Sequence, residues 1–168
     1  MWFVNIGNRS GLSAGQIPVA PVKYPYANQI GVDTTFVPAA ETVNVAPDLG
    51  TASIGIPVTV SLVTQELIGA NLVGFLAADV TINSFSLTVQ GGASPFAARI
   101  VTKAGVVAGA AVALTNDPSK AYLMASSLVL LPLSPLSPNT TYNVVFKATV
   151  KGEIVDLAWS FTTGAGNL

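Results

Sequence analysis

The sequence predicts an all-β domain built as a sandwich of two packed sheets. From about residue 56 onward, apolar and polar residues alternate with a period of two, which is typical of strands with one buried face. Five or more such segments are separated by turns rich in Gly, Pro and Asn, and no window carries a sustained apolar stripe with helical spacing. Because a single sheet would leave one apolar face exposed, two packed sheets are favoured, with a barrel as the alternative.

The middle of the chain supplies the first predicted strands, at residues 58–62, 84–90, 98–103 and 128–131. Gly91 and Gly92 are predicted to form a turn, and Pro132 ends the last of these strands. Segments 67–78 and 104–114 are interpreted as loops or irregular strands, although both are rich in Ala, Leu and Val. We expect the sandwich to bury only its inner faces, so these two segments should pack against the N-terminal arm, a neighbouring domain or a second copy.

The C-terminal region gives the clearest pattern. Residues 142–150 and 155–162 alternate with a period of two and are predicted to pair as an antiparallel hairpin around Lys151, Gly152 and Glu153. Trp159 is predicted to point into the core together with Leu157 and Phe161. The domain is therefore assigned to residues 51–164, with residues 165–168 as a tail.

The N-terminal third is different. Five prolines are spaced along weakly patterned, extended sequence: Pro18, Pro21, Pro25, Pro38 and Pro47. Residues 1–50 are predicted to form an extended arm or linker, with one or two edge strands, lying along the core domain.

Composition excludes several classes of function. Charged residues are 9% of the chain and the net charge is −1, with no basic cluster that could displace counterions from nucleic-acid phosphates. The longest uncharged run, residues 121–146, is interrupted by Pro132, Pro135 and Pro138, so it is not predicted to span a membrane as a helix. The chain has no cysteine, which excludes disulfides and thiol chemistry.

Catalysis is not predicted either. Residues 11–15, Gly-Leu-Ser-Ala-Gly, match the nucleophile-elbow pattern, but the chain contains no histidine to act as a base. The carboxylates are isolated, and the pair Glu153 and Asp156 near the hairpin tip is interpreted as solvated. We therefore expect no catalytic residue, no metal site and no cofactor.

Two motifs near the C-terminus carry a resemblance to a known family. Residues 133–142, Leu-Ser-Pro-Leu-Ser-Pro-Asn-Thr-Thr-Tyr, and residues 159–163, Trp-Ser-Phe-Thr-Thr, resemble the ending of bacterial immunoglobulin-like (Ig-like) domains. Such domains occur in surface-layer proteins, adhesins and secreted hydrolases. The resemblance implies an Ig-like antiparallel β-sandwich in which Tyr142 bonds back across the preceding corner, and a secreted or cell-surface bacterial location.

A second resemblance covers residues 24–57. The motif Tyr24-Pro25-Tyr26, with further residues at Gln29, Val32, Phe36, Glu41, Pro47 and 55–57, is similar to the segment that leads into the C-terminal domain of some secreted CAP-superfamily (SCP/PR-1-like) proteins. This implies a C-terminal accessory domain. The family's His and Glu cleft belongs to its upstream domain and cannot lie here, because this chain has no histidine.

These features predict a non-catalytic structural or protein-interaction module, not an enzyme. The expected partner is a neighbouring domain of a larger protein or a second copy of the chain. The alternative is a carbohydrate- or cell-envelope-binding module, for which the candidate ligand-binding residues are Tyr24 and Tyr26.

Overall fold

A computed structural model describes residues 21–42, 44, 46–62, 77–103, 106–107, 112–113, 123, 126–150 and 152–166. These residues form a two-sheet β-sandwich, so the predicted fold class is confirmed. The strands are β1 (Val22–Tyr24), β2 (Gln29–Val32), β3 (Val58–Ser61), β4 (Val80–Val89), β5 (Ala98–Thr102), β6 (Val106–Val107), β7 (Val112–Ala113), β8 (Ser127–Pro132), β9 (Thr141–Val150) and β10 (Glu153–Thr163). Short 3₁₀ helices span Pro38–Ala40, Pro47–Leu49 and Ala77–Asp79.

Each sheet has five strands among the described residues. The first sheet has the order β1-β3-β8-β5-β7 and the second sheet the order β2-β10-β9-β4-β6. If β1, β3, β4, β5, β8, β9 and β10 are labelled A to G, the sheets become ABED and CFG, which is the arrangement of an immunoglobulin constant-type sandwich. The segment predicted as an arm contributes β1 to one sheet and β2 to the other.

The edge strands differ in direction from the long strands. The long strands pair antiparallel, but β2 runs parallel to β10, β6 parallel to β4 and β7 parallel to β5. A tight hairpin forces its two strands to be antiparallel, whereas none of these edge strands is joined to its partner by a hairpin.

The C-terminal hairpin has the predicted form. Strands β9 and β10 pair in continuous register from Val150 opposite Glu153 to Thr141 opposite Thr162. Gly152 in the connecting turn has a φ of 86°, which is a left-handed conformation that glycine adopts without steric cost. The predicted turn at Gly91 is also present, with a hydrogen bond of 2.8 Å from the Gly92 N–H to the Val89 carbonyl.

The main core lies between the two sheets. Its aromatic centre includes Phe85 and Phe146 in edge-to-face contact at 5.1 Å, and Tyr142 stacked on Phe161 at 5.7 Å. Trp159 is 7% exposed and belongs to this core, as its predicted face requires. The other buried members are Val32, Val58, Val60, Leu62, Val80, Ile82, Leu87, Ile100, Leu128, Leu130, Leu136, Val144, Ala148 and Val150.

A second core covers the outer face of the first sheet, so the expectation that only inner faces are buried is wrong. Val129 and Leu131 of β8 and Val101 of β5 point outward and are buried under Ala46 and Ile54. Partly buried Phe36, Leu49 and Leu123 pack against the same cluster. Since β8 is apolar on both sides, it needs cover on both sides, and the segment 34–54 supplies the outer cover.

The two apolar segments lie mostly outside the described residues. Within 104–114, β6 joins the second sheet and β7 joins the first sheet. Within 67–78, only the last two residues are described, at the start of a 3₁₀ helix. What covers their apolar side chains therefore stays a prediction.

Candidate functional site

The candidate ligand residues Tyr24 and Tyr26 lie where the chain crosses from β1 in the first sheet to β2 in the second sheet. Tyr24 is 36% exposed and Tyr26 is 61% exposed, while Pro25 between them is buried. Partial burial, followed by the negative charge of Asp33, raises the pKa of the Tyr24 hydroxyl above its usual range. Among the described residues no ring contact joins the two tyrosines, so they do not form a single aromatic platform.

The crossing is anchored by Trp159. The indole Nε1–H of Trp159 donates a hydrogen bond of 2.9 Å to the Pro25 carbonyl. On the other side, the Lys23 ammonium lies 5.4 Å from the centre of the tryptophan ring, within the range of a cation–π contact. One core side chain therefore holds both β1 and the start of the crossing that leads to β2.

The residues after Pro25 form a closed turn fixed to β10. The Tyr26 N–H donates to the Gln29 side-chain oxygen at 3.0 Å, and the Gln29 N–H donates to the Tyr26 carbonyl at 3.1 Å. The Asn28 N–H donates to the Ser160 carbonyl at 2.7 Å. Asn28 has a φ of 62°, which asparagine tolerates better than most residues.

This turn forms one wall of a shallow depression on the outer face of the second sheet. The depression has a volume of about 380 Å³ and is lined by Ala27, Asn28, Asn143, Val144, Val145, Ala158, Trp159 and Ser160. In the β9–β10 register, Ala158 lies opposite Val145 and Ser160 lies opposite Asn143. The small side chain of Ala158 leaves room between Val145 and the turn.

The polar side chains that line the depression are neutral and have no hydrogen-bond partner among the described residues. Within the described part of the chain, the side chains of Asn28, Asn143 and Ser160 make no hydrogen bond. Amide and hydroxyl groups can both donate and accept hydrogen bonds. None of the lining residues is charged. The depression therefore suits a neutral ligand with many hydrogen-bonding groups better than an ion.

The rest of this outer face is mostly polar, apart from the exposed Ile154 of β10, and its charges are balanced. Hydroxyl side chains line its strands at Thr81, Ser84, Ser86, Thr88, Thr141, Thr149, Ser160 and Thr162. Lys147 and Asp156 form an exposed ion pair at 2.8 Å. Asp156 therefore pairs with a lysine. The prediction that Glu153 and Asp156 are simply solvated stays a prediction, because the structure does not describe the Glu153 side chain.

An ion pair between a buried arginine and an exposed aspartate, on the opposite side of the sandwich, was not expected from the sequence. Arg99 on β5 is 6% exposed, and its guanidinium donates two hydrogen bonds of 2.7 and 2.8 Å to the Asp48 carboxylate. The hydrogen bonds and positive charge of Arg99 hold the pKa of Asp48 below its usual range, although partial burial opposes this. The pair fixes the 3₁₀ helix Pro47–Leu49 to the first sheet.

The tyrosine corner implied by the family resemblance has its hydrogen bond. The Ser137 N–H donates to the Tyr142 hydroxyl at 2.8 Å, five residues upstream. Thr163 reinforces the same corner, since its hydroxyl donates to the Ser137 carbonyl at 2.7 Å and accepts from the Thr140 N–H at 2.9 Å. These groups are engaged in structural contacts.

Other candidate features give no further site. The described residues contain no group of three or more acidic, His or Cys side chains that could hold a metal ion. The Gly-Leu-Ser-Ala-Gly pattern at 11–15 lies outside the described residues. Over the described ranges, no helix is both long and apolar enough to cross a membrane.

The sequence could have identified part of the depression. The period-two pattern of the C-terminal hairpin already predicted that Asn143, Ala158 and Ser160 lie on the solvent side. Nothing in the sequence placed Ala27 and Asn28 beside them, because that contact joins residues more than 100 positions apart. No protein-family model and no curated protein sequence matches this chain.

Proposed function

We propose that the chain is a non-catalytic, Ig-like structural or protein-interaction module of a secreted or cell-surface bacterial protein. The strand order and the corner hydrogen bond of Tyr142 support the Ig-like assignment. The similarity of residues 24–57 to CAP-superfamily sequences supports the narrower proposal that the module is a C-terminal accessory domain. The lack of His and Cys in the sequence removes the side chains that most often serve as catalytic bases and strong nucleophiles.

The observation that carries this proposal is the difference between the two outer faces of the sandwich. The chain covers the outer face of the first sheet with its own segment 34–54. The described part of the second sheet instead shows a broad face of hydroxyl, amide and small apolar side chains, together with the exposed Ile154 and one ion pair. An interaction module needs one open face on a rigid support, and among the residues that the structure describes the second sheet offers such a face.

The charge of the open face is compatible with a protein partner. Its one described ion pair, Lys147 with Asp156, is internally neutral. With 9% charged residues in the whole chain, long-range repulsion of an approaching protein is weak. The proposed partner is a neighbouring domain of the same protein or a second copy of the chain.

Photocrosslinking from a matched pair of serines tests the proposal. The photoreactive residue benzoylphenylalanine replaces Ser86 on the outer face of β4, or exposed Ser53 on the segment that covers the first sheet. Each variant is expressed and irradiated in the cells from which the protein comes. We expect a discrete crosslink from position 86, to another domain of the same chain or to a second copy, and none from position 53. Mass spectrometry of the crosslinked peptides separates these two partners.

Two results would contradict the proposal. One is the absence of a discrete product from position 86, or equal products from both positions. The other is robust hydrolysis of chromogenic peptide, ester or glycoside substrates by the purified chain, which would make the module an enzyme.

A further inference from the structure

We propose that the depression beside the turn 26–29 binds one sugar residue of a neutral glycan. This goes beyond an interaction with another protein, because it assigns a ligand class to a specific site on the second sheet. Three independent features support it: the chemistry of the lining groups, the shape of the floor and the rigidity of the wall.

The lining groups match the hydrogen-bonding pattern of a sugar. Asn28, Asn143 and Ser160 present two amides and a hydroxyl that have no partner within the described part of the chain. Each can donate and accept, as each sugar hydroxyl can. An anionic ligand would find no Lys or Arg among the lining residues, and a purely apolar ligand would leave these polar groups unsatisfied.

The floor provides an apolar surface for the C–H face of a ring. Ala158 and Val145 lie opposite each other, next to the polar pair Asn143 and Ser160 in the strand register. The volume of about 380 Å³ lies at the small end of ligand-binding pockets, which run from about 300 to 1,000 Å³. Tyr26, which directly precedes the lining residue Ala27, is 61% exposed and has an aromatic ring that a sugar could contact.

The wall is already ordered without a ligand. The hydrogen bonds that close the turn, and the one from Asn28 to Ser160, hold the backbone in place. The Trp159 bond to Pro25 fixes the residue before the turn to the core. Binding therefore costs little ordering of the protein, although an open depression with few contacts implies a dissociation constant of about 0.1 to 10 mM.

Amide chemical shifts of the full chain provide the test. The labelled protein is titrated with maltohexaose, cellohexaose or chitohexaose, three neutral oligosaccharides of different linkage and substitution, up to about 20 mM. We expect saturable shifts, for at least one of them, confined to amides near residues 27–28, 143–145 and 158–160. Absence of saturation with all three sugars, or shifts that map elsewhere, would overturn the proposal.

Variants on one sheet face distinguish a site from general surface binding. Ala158→Val fills the depression with a residue that suits a strand, and it should abolish saturable binding. Asn143→Ala removes one amide and should weaken binding about three- to tenfold. Asn83→Ala, on the same face but bonded to Thr149 at 3.2 Å, is the matched control and should bind like the parent.

The amide spectrum of each variant also reports whether it is folded. Unchanged binding by folded Ala158→Val and Asn143→Ala, or equal weakening by Asn83→Ala, would contradict the assignment. A failure here would leave the crosslink from position 86 unaffected, so the two proposals can fail separately.

Discussion

Replacing Trp159 by alanine should be among the most destabilising single substitutions in the described part of the fold. The side chain is 7% exposed and packs in the main core. It also donates to the buried Pro25 carbonyl and lies beneath the Lys23 ammonium. One truncation therefore removes core packing, a buried hydrogen bond and a cation–π contact together.

The magnitude follows from these contributions. Truncating a buried Trp or Phe to Ala typically costs about 3 to 5 kcal/mol. Within that total, leaving the Pro25 carbonyl without a donor costs about 1 to 3 kcal/mol, and the Lys23 contact contributes about 0.5 to 1 kcal/mol. Since a domain of this size is usually stable by about 5 to 15 kcal/mol, Trp159→Ala should remove a large share of the free energy of unfolding.

Urea denaturation followed by far-ultraviolet circular dichroism measures this loss. Trp159→Phe keeps most of the ring volume but loses the hydrogen bond, so its free energy of unfolding should fall between those of the parent and Trp159→Ala. Ile154→Ala is the control, because Ile154 is on the same strand but is 81% exposed, and it should change stability by no more than about 0.5 kcal/mol. A loss below about 1 kcal/mol for Trp159→Ala would refute the assigned packing.

Three smaller perturbations test other contacts. Tyr142→Phe should cost about 0.5 to 1.5 kcal/mol in the same urea assay, because the corner hydrogen bond is lost while the ring still packs; coincident curves would contradict this. Hydrogen bonding lowers the pKa of Asp48 in the folded state, so its stabilising effect is present above the unfolded pKa of about 3.9 and is lost as the pH falls through the folded pKa. The free energy of unfolding should therefore fall more steeply with decreasing pH in the parent than in Asp48→Asn, because Arg99 in the variant no longer faces a group that titrates. Parallel pH profiles of the two proteins would be inconsistent with the ion pair. A Cβ on Gly55 would lie 2.7 Å from the Cβ of Pro132, so Gly55→Ala should cost about 1 to 3 kcal/mol. Gly164→Ala, whose Cβ would lie 3.4 Å from its nearest neighbour, should be much milder, and equal thermal midpoints would refute the close approach.

The C-terminal hairpin could be predicted from sequence because its information is local. The alternation in β9 and β10 assigns every residue to a face, and Gly152 marks the turn. The corner at Tyr142 was predictable only through the family resemblance, since its hydrogen bond depends on how the preceding loop folds back.

The second core could not be predicted in the same way. In β8, residues Leu128 to Leu131 are all apolar, which shows that both faces are buried but not what covers the outer one. The cover comes from Ala46 and Ile54, in a segment whose prolines and weak pattern suggested only an extended arm. From the sequence, Arg99 likewise looks like an ordinary polar residue of a strand. Its partner Asp48 is identified only by the folded structure.

The candidate site shows the same limit. The hairpin pattern identifies Asn143, Ala158 and Ser160 as residues that point to solvent. It does not predict that another segment of the chain lies beside them and forms a depression. The wall at Ala27 and Asn28 arises because the chain crosses between sheets and fixes its turn to β10. The aromatic pair that suggested ligand binding is divided by that crossing, which leaves Tyr26 next to the wall and Tyr24 at the end of β1.

Within the described part of the chain, strands β8 and β9 also explain why the outer face of the second sheet, and not that of the first, is open to a partner. Since β8 is buried on both sides, uncovering the outer face of the first sheet would expose Val129 and Leu131 and leave buried Arg99 without its carboxylate. Strand β9 alternates, so water satisfies its outer face when no partner is bound. A ligand or a protein can therefore bind and leave the second sheet without disturbing the core, whereas any partner of the first sheet would have to displace part of the fold.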